Sequence, residues 1–159
     1  PWHNTILPFR RNVVGPMDYT PVTFTNQRYP RLTTAGHELA LAVVFQSRLQ
    51  HFADSAAGYR AQSPEVWRYL AEVPATWDQS RLVDGYPGAW ILVARRSGDR
   101  CWLAGLNGTS TRDIVVDLAP FPGLAGGQLI SGEDLAVSVA PPVLELTLEP
   151  GDGFSLWTP

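Results

Sequence analysis

Short apolar runs separated by turns rich in glycine and proline fill the chain from about Thr76 to its end. In the run from Leu144 to Leu148, leucines alternate with Glu145 and Thr147, which is typical of an antiparallel strand with one buried face. Ser97-Gly98-Asp99 separates two apolar runs and predicts a hairpin. The predicted strands are 90–94, 102–106, 116–118, 128–130, 144–148 and 154–157. Roughly six or seven such strands predict an antiparallel β-sandwich over residues 76–159.

Before residue 76 the apolar residues follow a helical period. Thr33-Thr34 offers a capping hydroxyl, and we predict a long helix from about Ala35 to Phe52. Its centre, Leu39 to Phe45, is apolar on almost every side, so the helix should be buried on more than one side and packed against the sandwich. Ser63-Pro64-Glu65 predicts the start of a second helix, which ends before Pro74.

The segment Val13–Pro21 resembles a short buried strand, because it is apolar and bounded by Gly-Pro and Thr-Pro. Asp18 lies inside it, and burying an unpaired carboxylate costs several kcal/mol. Asp18 therefore either caps its own turn and pairs with an arginine, or lies at the mouth of a barrel strand, where active sites are built. The residues alone leave both readings open. Asn26 to Arg31 is a polar connector.

Composition excludes several classes of function. A net charge of -3 gives no basic face for nucleic acid, and no segment approaches the roughly 20 apolar residues of a membrane span. Cys101 is the single cysteine, so an internal disulfide is impossible, and its apolar surroundings favour a buried thiol. The acidic residues and histidines show no metal-ligand spacing.

A few polar and aromatic residues remain as site candidates. His3 and Asn4 precede an apolar stretch and could contact a sugar, although a lone histidine is more often structural; His37 and His51 lie at the two ends of the long predicted helix and are expected to be structural. Four tryptophans of the predicted sandwich could form a sugar-stacking surface, although aromatic residues at strand spacing usually belong to a core. They are Trp77, Trp90, Trp102 and Trp157.

Several motifs resemble the end of the catalytic barrel in glycoside hydrolase family 97. The longest is the nineteen-residue stretch that the sequence prints as HNTILPFRRNVVGPMDYTP, residues 3–21. The others are His37-Glu38-Leu39-Ala40-Leu41, Phe52-Ala53-Asp54-Ser55, Pro64-Glu65-Val66 and Val73-Pro74-Ala75-Thr76-Trp77-Asp78. They occur in the family's order and cover nearly the whole chain.

The resemblance implies an α+β piece of a three-part parent. Residues 1–75 would be the last strand and helix of a (β/α)8 barrel, and residues 76–159 the C-terminal β-sandwich. Family members are calcium-dependent α-glucosidases that invert, or α-galactosidases that retain, and both use two carboxyl groups, about 6.5–9.5 Å apart or about 5–5.5 Å apart, respectively. The resemblance implies that inverting members carry a glutamate, which serves as base and calcium ligand, close to the segment that is Trp2-His3-Asn4 here. No carboxylate occurs between Pro1 and Met17, which favours the retaining, galactosidase-like branch; the alternative is that this glutamate lies just before Pro1.

The resemblance places the catalytic carboxylates upstream of Pro1, so we expect no catalytic residue and no metal ligand in this chain. His3, Asn4 and Asp18 are the candidates for lining the sugar site. Calcium and an α-linked oligosaccharide are expected for the parent, together with the N-terminal and barrel segments of the same polypeptide. A periplasmic or secreted location is the expectation for a bacterial parent. The alternative is a non-enzymatic carbohydrate-binding or scaffolding module.

Overall fold

The computed structural model describes residues 1–25 and 30–159, so most of the predicted connector from Asn26 to Arg31 lies outside the described residues. A 3₁₀ helix at Trp2–Thr5 precedes four α-helices, which are α1 Leu7–Val14, α2 Ala35–Val44, α3 Ala56–Arg60 and α4 Pro64–Glu72. The strands that follow are β1 Gln79–Tyr86, β2 Trp90–Ser97, β3 Arg100–Asn107, β4 Arg112–Asp117, β5 Gln128–Ser131, β6 Ala136–Val139, β7 Val143–Leu148 and β8 Gly153–Trp157.

The strands form two antiparallel sheets. The larger has the order β1-β2-β3-β8-β5-β6, and the smaller consists of β4 and β7. A hairpin joins β2 to β3, and Gly98 turns it with a φ of 58°, a left-handed conformation that glycine adopts without strain. The predicted antiparallel sandwich is therefore confirmed, with two more strands, β1 and β6, than the apolar runs indicate.

The larger sheet is buried on both of its faces. On one face Leu92, Leu103 and Leu156 pack against residues of β4 and β7 and form the core of the sandwich. On the other face Val93 and Trp102 belong to a second core, which is built around α2. This double burial explains why β2, β3 and β8 read as continuous apolar runs rather than as alternating ones.

Helix α2 is buried as its apolar sequence predicts, but it is shorter than predicted. The Thr34 hydroxyl accepts a hydrogen bond from the amide of His37 and caps the start of the helix. The helix ends at Val44 rather than Phe52, because side chains from outside it satisfy its last carbonyls. Gln50 Nε2 donates to the Ala42 carbonyl at 2.8 Å, and Arg95 Nη2 donates to the Val44 carbonyl at 3.0 Å.

Helix α4 begins and ends where the sequence predicts. The Ser63 hydroxyl accepts from the amide of Val66, and Pro64 occupies the first turn. Tyr69 is fully buried, and its hydroxyl donates to the Leu39 carbonyl at 2.9 Å and lies 3.0 Å from Ser155 Oγ. This tyrosine joins α4, α2 and β8.

The buried strand predicted at Val13–Pro21 is wrong. Leu7 to Val14 form α1, whose Leu7 and Phe9 pack on the core, while Val13 is 76% exposed. Residues 15–25 have neither helix nor strand. Proline lacks an amide hydrogen, so the prolines at 16 and 21 cannot donate to a sheet ladder. Among the described residues, 1–75 contain no strand, and the predicted last barrel strand is therefore absent as a strand.

Candidate functional site

His3 and Asn4 lie side by side in the 3₁₀ helix but face different surroundings. His3 is exposed, and its ring lies edge-on to Trp2 with centroids 5.9 Å apart. Asn4 is half-buried, and its Nδ2 lies 3.0 Å from Nε2 of His37. Of these two sugar-site candidates, His3 is therefore free to meet a ligand, whereas Asn4 is already bound to the first turn of α2.

His37 is fully buried and is held from both sides of its ring. Its Nδ1 lies 3.2 Å from the carbonyl of Asp152, so this nitrogen carries the proton and donates. Nε2 of His37 then accepts a hydrogen bond from the side-chain amide nitrogen Nδ2 of Asn4. Burial lowers the pKa of His37 to about 4, and the hydrogen bond to the Asp152 carbonyl opposes this shift without cancelling it. The imidazole is therefore neutral at pH 7 and ties residues 1–5 to the turn before β8.

Asp18 is exposed and lies in the irregular segment 15–25. Hydrogen bonds hold the backbone on both sides of Asp18: the amide of Met17 donates to the Gln46 carbonyl at 2.8 Å, and the Pro21 carbonyl accepts from the amide of Ala53 at 2.9 Å. Within residues 1–25 and 30–159, no hydrogen bond or ion pair joins Asp18 to His3 or Asn4. The segment presents Asp18 to solvent on a fixed backbone.

Val22, in the same segment, has a φ of 69° and is fully buried. A β-branched residue in the left-handed region is strained, and such strain persists only where the surroundings enforce it. Here the Tyr59 hydroxyl donates to the Val22 carbonyl at 2.9 Å and accepts from the amide of Asp54 at 2.8 Å. Tyr59 thereby connects α3 to the backbone that follows Asp18.

Asp54 holds the same backbone with its carboxylate. Oδ2 accepts from the amides of Phe24 and Thr25 at 2.7 and 2.9 Å. Oδ1 accepts from the Thr25 hydroxyl at 2.7 Å and from the amide of Ser55 at 2.6 Å. Burial raises the pKa of Asp54, but these hydrogen bonds outweigh it and the pKa is lowered overall. Sequence reasoning did not single out Asp54 or Tyr59; Asp54 was visible only within the motif Phe52-Ala53-Asp54-Ser55.

We expect Asp54→Asn to destabilise the chain by about 2 kcal/mol, because the new amide donates where the carboxylate accepted two hydrogen bonds. Urea unfolding at neutral pH measures this loss. Asp78→Asn is the matched control, because Asp78 is exposed and accepts one hydrogen bond, from the amide of Gly98. A loss at Asp54 no larger than the loss at Asp78 contradicts the anchoring role.

The four tryptophans of the sandwich do not form an open stacking surface. Trp102 and Trp157 are fully buried. Trp77 and Trp90 are half-buried, and the guanidinium carbons of Arg95 and Arg112 lie 5.7 and 4.7 Å from the centres of their rings. A sugar would have to displace these cation–π contacts to stack on either ring.

Neither a metal centre nor a membrane span is evident in the described part of the chain. Residues 1–25 and 30–159 contain no group of three His, Cys, Asp or Glu side chains that could hold a metal ion. No described helix is both long enough and apolar enough to cross a bilayer.

Comparison with known proteins decides the family. Residues 76–124 match the family model described as glycosyl-hydrolase 97 C-terminal, oligomerisation. A probable retaining alpha-galactosidase from Streptomyces bingchenggensis is 40% identical over 103 residues, which are 65% of this chain and 16% of the relative. A retaining alpha-galactosidase from Bacteroides thetaiotaomicron is 38% identical over 125 residues, 72% of this chain and 19% of the relative.

The chain belongs to glycoside hydrolase family 97. It spans less than a fifth of the length of these two curated relatives. The sequence resemblance is thus confirmed, and the chain corresponds to the C-terminal region of family-97 proteins.

Solved structures, among them enzymes described as members of family 97, share the fold over nearly the whole chain. A beta-arabinopyranosidase superposes with a TM-score of 0.83 at 29% identity and covers 99% of this chain and 27% of its own. A family-97 enzyme from Pseudoalteromonas sp. strain K8, solved with panose, has a TM-score of 0.82 at 26% identity, with 99% and 28% covered. The segment that corresponds to residues 1–75 therefore has the same position relative to the sandwich in these structures as in this chain. The domain boundary at residue 76 stays a prediction.

Proposed function

We propose that the chain is the C-terminal part of a family-97 glycosidase that removes terminal α-linked galactose or glucose from oligosaccharides. The observation that carries this proposal is the 38% identity with a retaining alpha-galactosidase over 125 residues, which are 72% of this chain. Both curated relatives are retaining alpha-galactosidases, so galactose is the preferred sugar of the proposal.

Residues 1–75 belong, in this proposal, to the end of the (β/α)8 catalytic barrel. The support is the superposition on family-97 structures over 99% of the chain. His3 and Asp18 then contribute to one wall of the sugar site, because both are exposed. Asn4 supports this wall through its hydrogen bond to His37. The sandwich covers α2 and braces the wall.

The catalytic carboxylates of the proposal lie outside this chain. Glycoside hydrolysis needs two carboxyl groups that face each other across the scissile bond. Two carboxylates near the proposed wall are already engaged: Asp54 accepts four hydrogen bonds, and Glu38 accepts from the Thr33 hydroxyl at 2.7 Å and the amide of Thr23 at 3.4 Å. Calcium, as an expectation for the whole enzyme, would then also depend on residues beyond this chain.

We expect the purified 159-residue chain to release no nitrophenol from 4-nitrophenyl α-galactoside or α-glucoside above the buffer rate. The complete polypeptide to which the proposal assigns the chain should hydrolyse at least one of them. Absorbance measurements under identical conditions test both statements. Hydrolysis by the chain alone would show that the catalytic carboxylates lie within it, contrary to the proposal. An inactive complete polypeptide would refute the glycosidase assignment.

A further inference from the structure

Arg95 of β2 is a buried cation without a counter-ion. Only 6% of this residue is exposed. Its Nη1 donates to Ser80 Oγ at 2.7 Å, its Nη2 donates to the Val44 carbonyl at 3.0 Å, and its guanidinium carbon lies 5.7 Å from the centre of the Trp77 ring. All three partners are neutral. Among the described residues, 1–25 and 30–159, both ion pairs use other arginines, so no carboxylate there neutralises Arg95.

The surroundings of this arginine do not satisfy it. Buried arginines are almost always paired in proteins, because removing a charge from water is costly. Burial lowers the pKa of Arg95 from its ordinary value of 12.5 to about 10, and no carboxylate of the described residues opposes this shift. The guanidinium therefore stays charged at pH 7. Its Nε is buried as well and makes no hydrogen bond, so Arg95 keeps both charge and donor capacity for a further partner.

A groove opens to solvent beside Arg95, between α1, the end of α2 and the first two strands. Its volume is about 230 Å³, and Ser80, Val44 and Arg95 itself contribute to its lining. No aspartate or glutamate of the described part of the chain lines it. Most of the other lining residues are apolar, and they are Pro8, Phe9, Val13, Leu82, Ile91 and Val93. The groove thus combines an apolar wall with one unneutralised positive charge.

We propose that this groove binds a small carboxylate with an apolar body, such as a short alkanoate, and that the carboxylate neutralises Arg95. The planar guanidinium carries donors that match the two oxygens of a carboxylate. The apolar wall covers the hydrocarbon part and removes it from water. The ligand is small, because pockets for drug-sized ligands usually have about 300–1,000 Å³. Neither His3 nor Asp18 lines the groove, so the inference goes beyond the proposed glycosidase function.

The lining disfavours a sugar or an inorganic anion as the ligand. A sugar needs partners for its hydroxyl groups, but the polar groups of the groove are engaged. Asn12 Nδ2 donates to the Gln46 carbonyl at 3.2 Å, Asn12 Oδ1 accepts from the amide of Gln46 at 3.3 Å, and Ser80 Oγ accepts from Arg95. An inorganic anion would neutralise the charge but leave the apolar wall in water. An anion with an apolar body uses both features.

Titration with hexanoate, hexanamide and acetate separates the contribution of charge from that of apolar contact. We expect the 159-residue chain to bind hexanoate with a dissociation constant of about 1 mM or below. Hexanamide lacks the charge and acetate lacks most of the apolar body, so each should bind at least about tenfold more weakly. In NMR spectra the Nε–H resonance of Arg95 should shift with hexanoate. Absent hexanoate binding, or equal affinities for the three compounds, overturns the proposal.

Ser80→Asp supplies the missing carboxylate from the chain itself. The new side chain lies beside Nη1 of Arg95, so this substitution should raise the melting temperature. It should also raise the dissociation constant of hexanoate by at least about tenfold, since the charge is already neutralised. Ser138→Asp, on the exposed edge strand β6, is the matched control and should change neither quantity. A Ser80→Asp variant that binds hexanoate as the wild-type chain does would contradict the proposal.

A second pair of variants decides the question even if Ser80→Asp fails to fold. Val13 and Val14 of α1 are 76% and 87% exposed, and of these two neighbours only Val13 lines the groove. Val13→Glu should weaken hexanoate binding by about threefold or more, because its carboxylate repels that of the ligand. Val14→Glu should have a smaller effect. Equal effects of the two substitutions count against binding in this groove.

The complete polypeptide distinguishes a free ligand from a carboxylate of the protein itself. The proposal expects it to bind hexanoate as the 159-residue chain does. Binding by the 159-residue chain alone would show that another segment of the polypeptide fills the groove, and would overturn the assignment of a small ligand. None of these measurements uses hydrolysis, so their outcome is independent of the glycosidase assignment.

Discussion

Replacing Gly36 with alanine should destabilise the chain by about 4 kcal/mol or prevent folding. A Cβ at this position would lie 2.5 Å from the carbonyl oxygen of Gly153 and 2.8 Å from the amide nitrogen of Gly132. Both obstacles are backbone atoms of the sandwich, which cannot rotate away as a side chain would. Overpacking of this kind costs about 1–3 kcal/mol even where side chains can adjust, so the cost here should be larger.

Helix propensity opposes this effect but does not outweigh it. Alanine is more favourable than glycine within a helix by about 1 kcal/mol, and less at a helix end. Gly36 lies in the first turn of α2, where its amide donates to the Gly132 carbonyl at 2.9 Å. The clash would break this hydrogen bond as well. The net result is therefore a loss of stability, and the contact between α2 and the sandwich opens first.

Urea unfolding of Gly36→Ala and Gly98→Asn compares a crowded glycine with an open one. No atom lies within 4 Å of a Cβ at Gly98, and asparagine tolerates its φ of 58°. Gly98→Asn should therefore cost less than about 1 kcal/mol. Equal stability losses in the two variants would show that α2 does not depend on this close approach.

The sequence predicted the central strands because their burial is visible along the chain. β2, β3 and β8 are buried on both faces and therefore appear as apolar runs. β1 and β6 lie at the edges of the same sheet, and the four side chains of β6 are all exposed. A strand without a buried face has no hydrophobic period to detect, so these two strands were missed.

The predictions of a strand at residues 13–21 and of a helix that extends to Phe52 were wrong, because contacts with residues distant in the sequence determine both features. Two features of local sequence, a run of apolar residues and flanking prolines, predicted a strand. The amide of Met17 instead donates to Gln46, twenty-nine positions further on, and the end of α2 depends on Arg95, fifty-one positions beyond Val44. Periodicity reports local burial and cannot show such contacts.

The candidate site was predictable only in part, for the same reason. His3, Asn4 and Asp18 came from residue type and from the resemblance, and whether they contact a sugar stays a prediction. The sequence could not show that Asn4 would reach His37, thirty-three positions away. The sequence also could not show that the carboxylate of Asp54 would accept hydrogen bonds from the backbone amides of residues 24 and 25.

The stability of the chain should fall steeply below about pH 6.5, by about 3 kcal/mol at pH 4, because of His37. Burial lowers the pKa of His37 from its ordinary value of 6.5 to about 4 in the folded chain. Between these two values the unfolded chain binds a proton that the folded chain excludes, so acid favours unfolding. The stabilisation by neutral His37 is complete above pH 6.5 and is lost as the pH falls towards 4, at about 1.4 kcal/mol per pH unit.

Urea unfolding of wild-type chain and of His37→Gln across this range isolates the contribution, because acidic residues titrate equally in both proteins. We expect the wild-type chain to lose more stability than His37→Gln on acidification. His51→Gln removes an exposed histidine and should behave as wild type does. NMR titration of the His37 ring provides a direct check, since its resonances should keep their neutral positions down to about pH 5. A midpoint near 6.5, or equal acid losses in wild type and His37→Gln, would show that Asn4 and Asp152 do not hold a neutral imidazole between the proposed sugar-site wall and the sandwich.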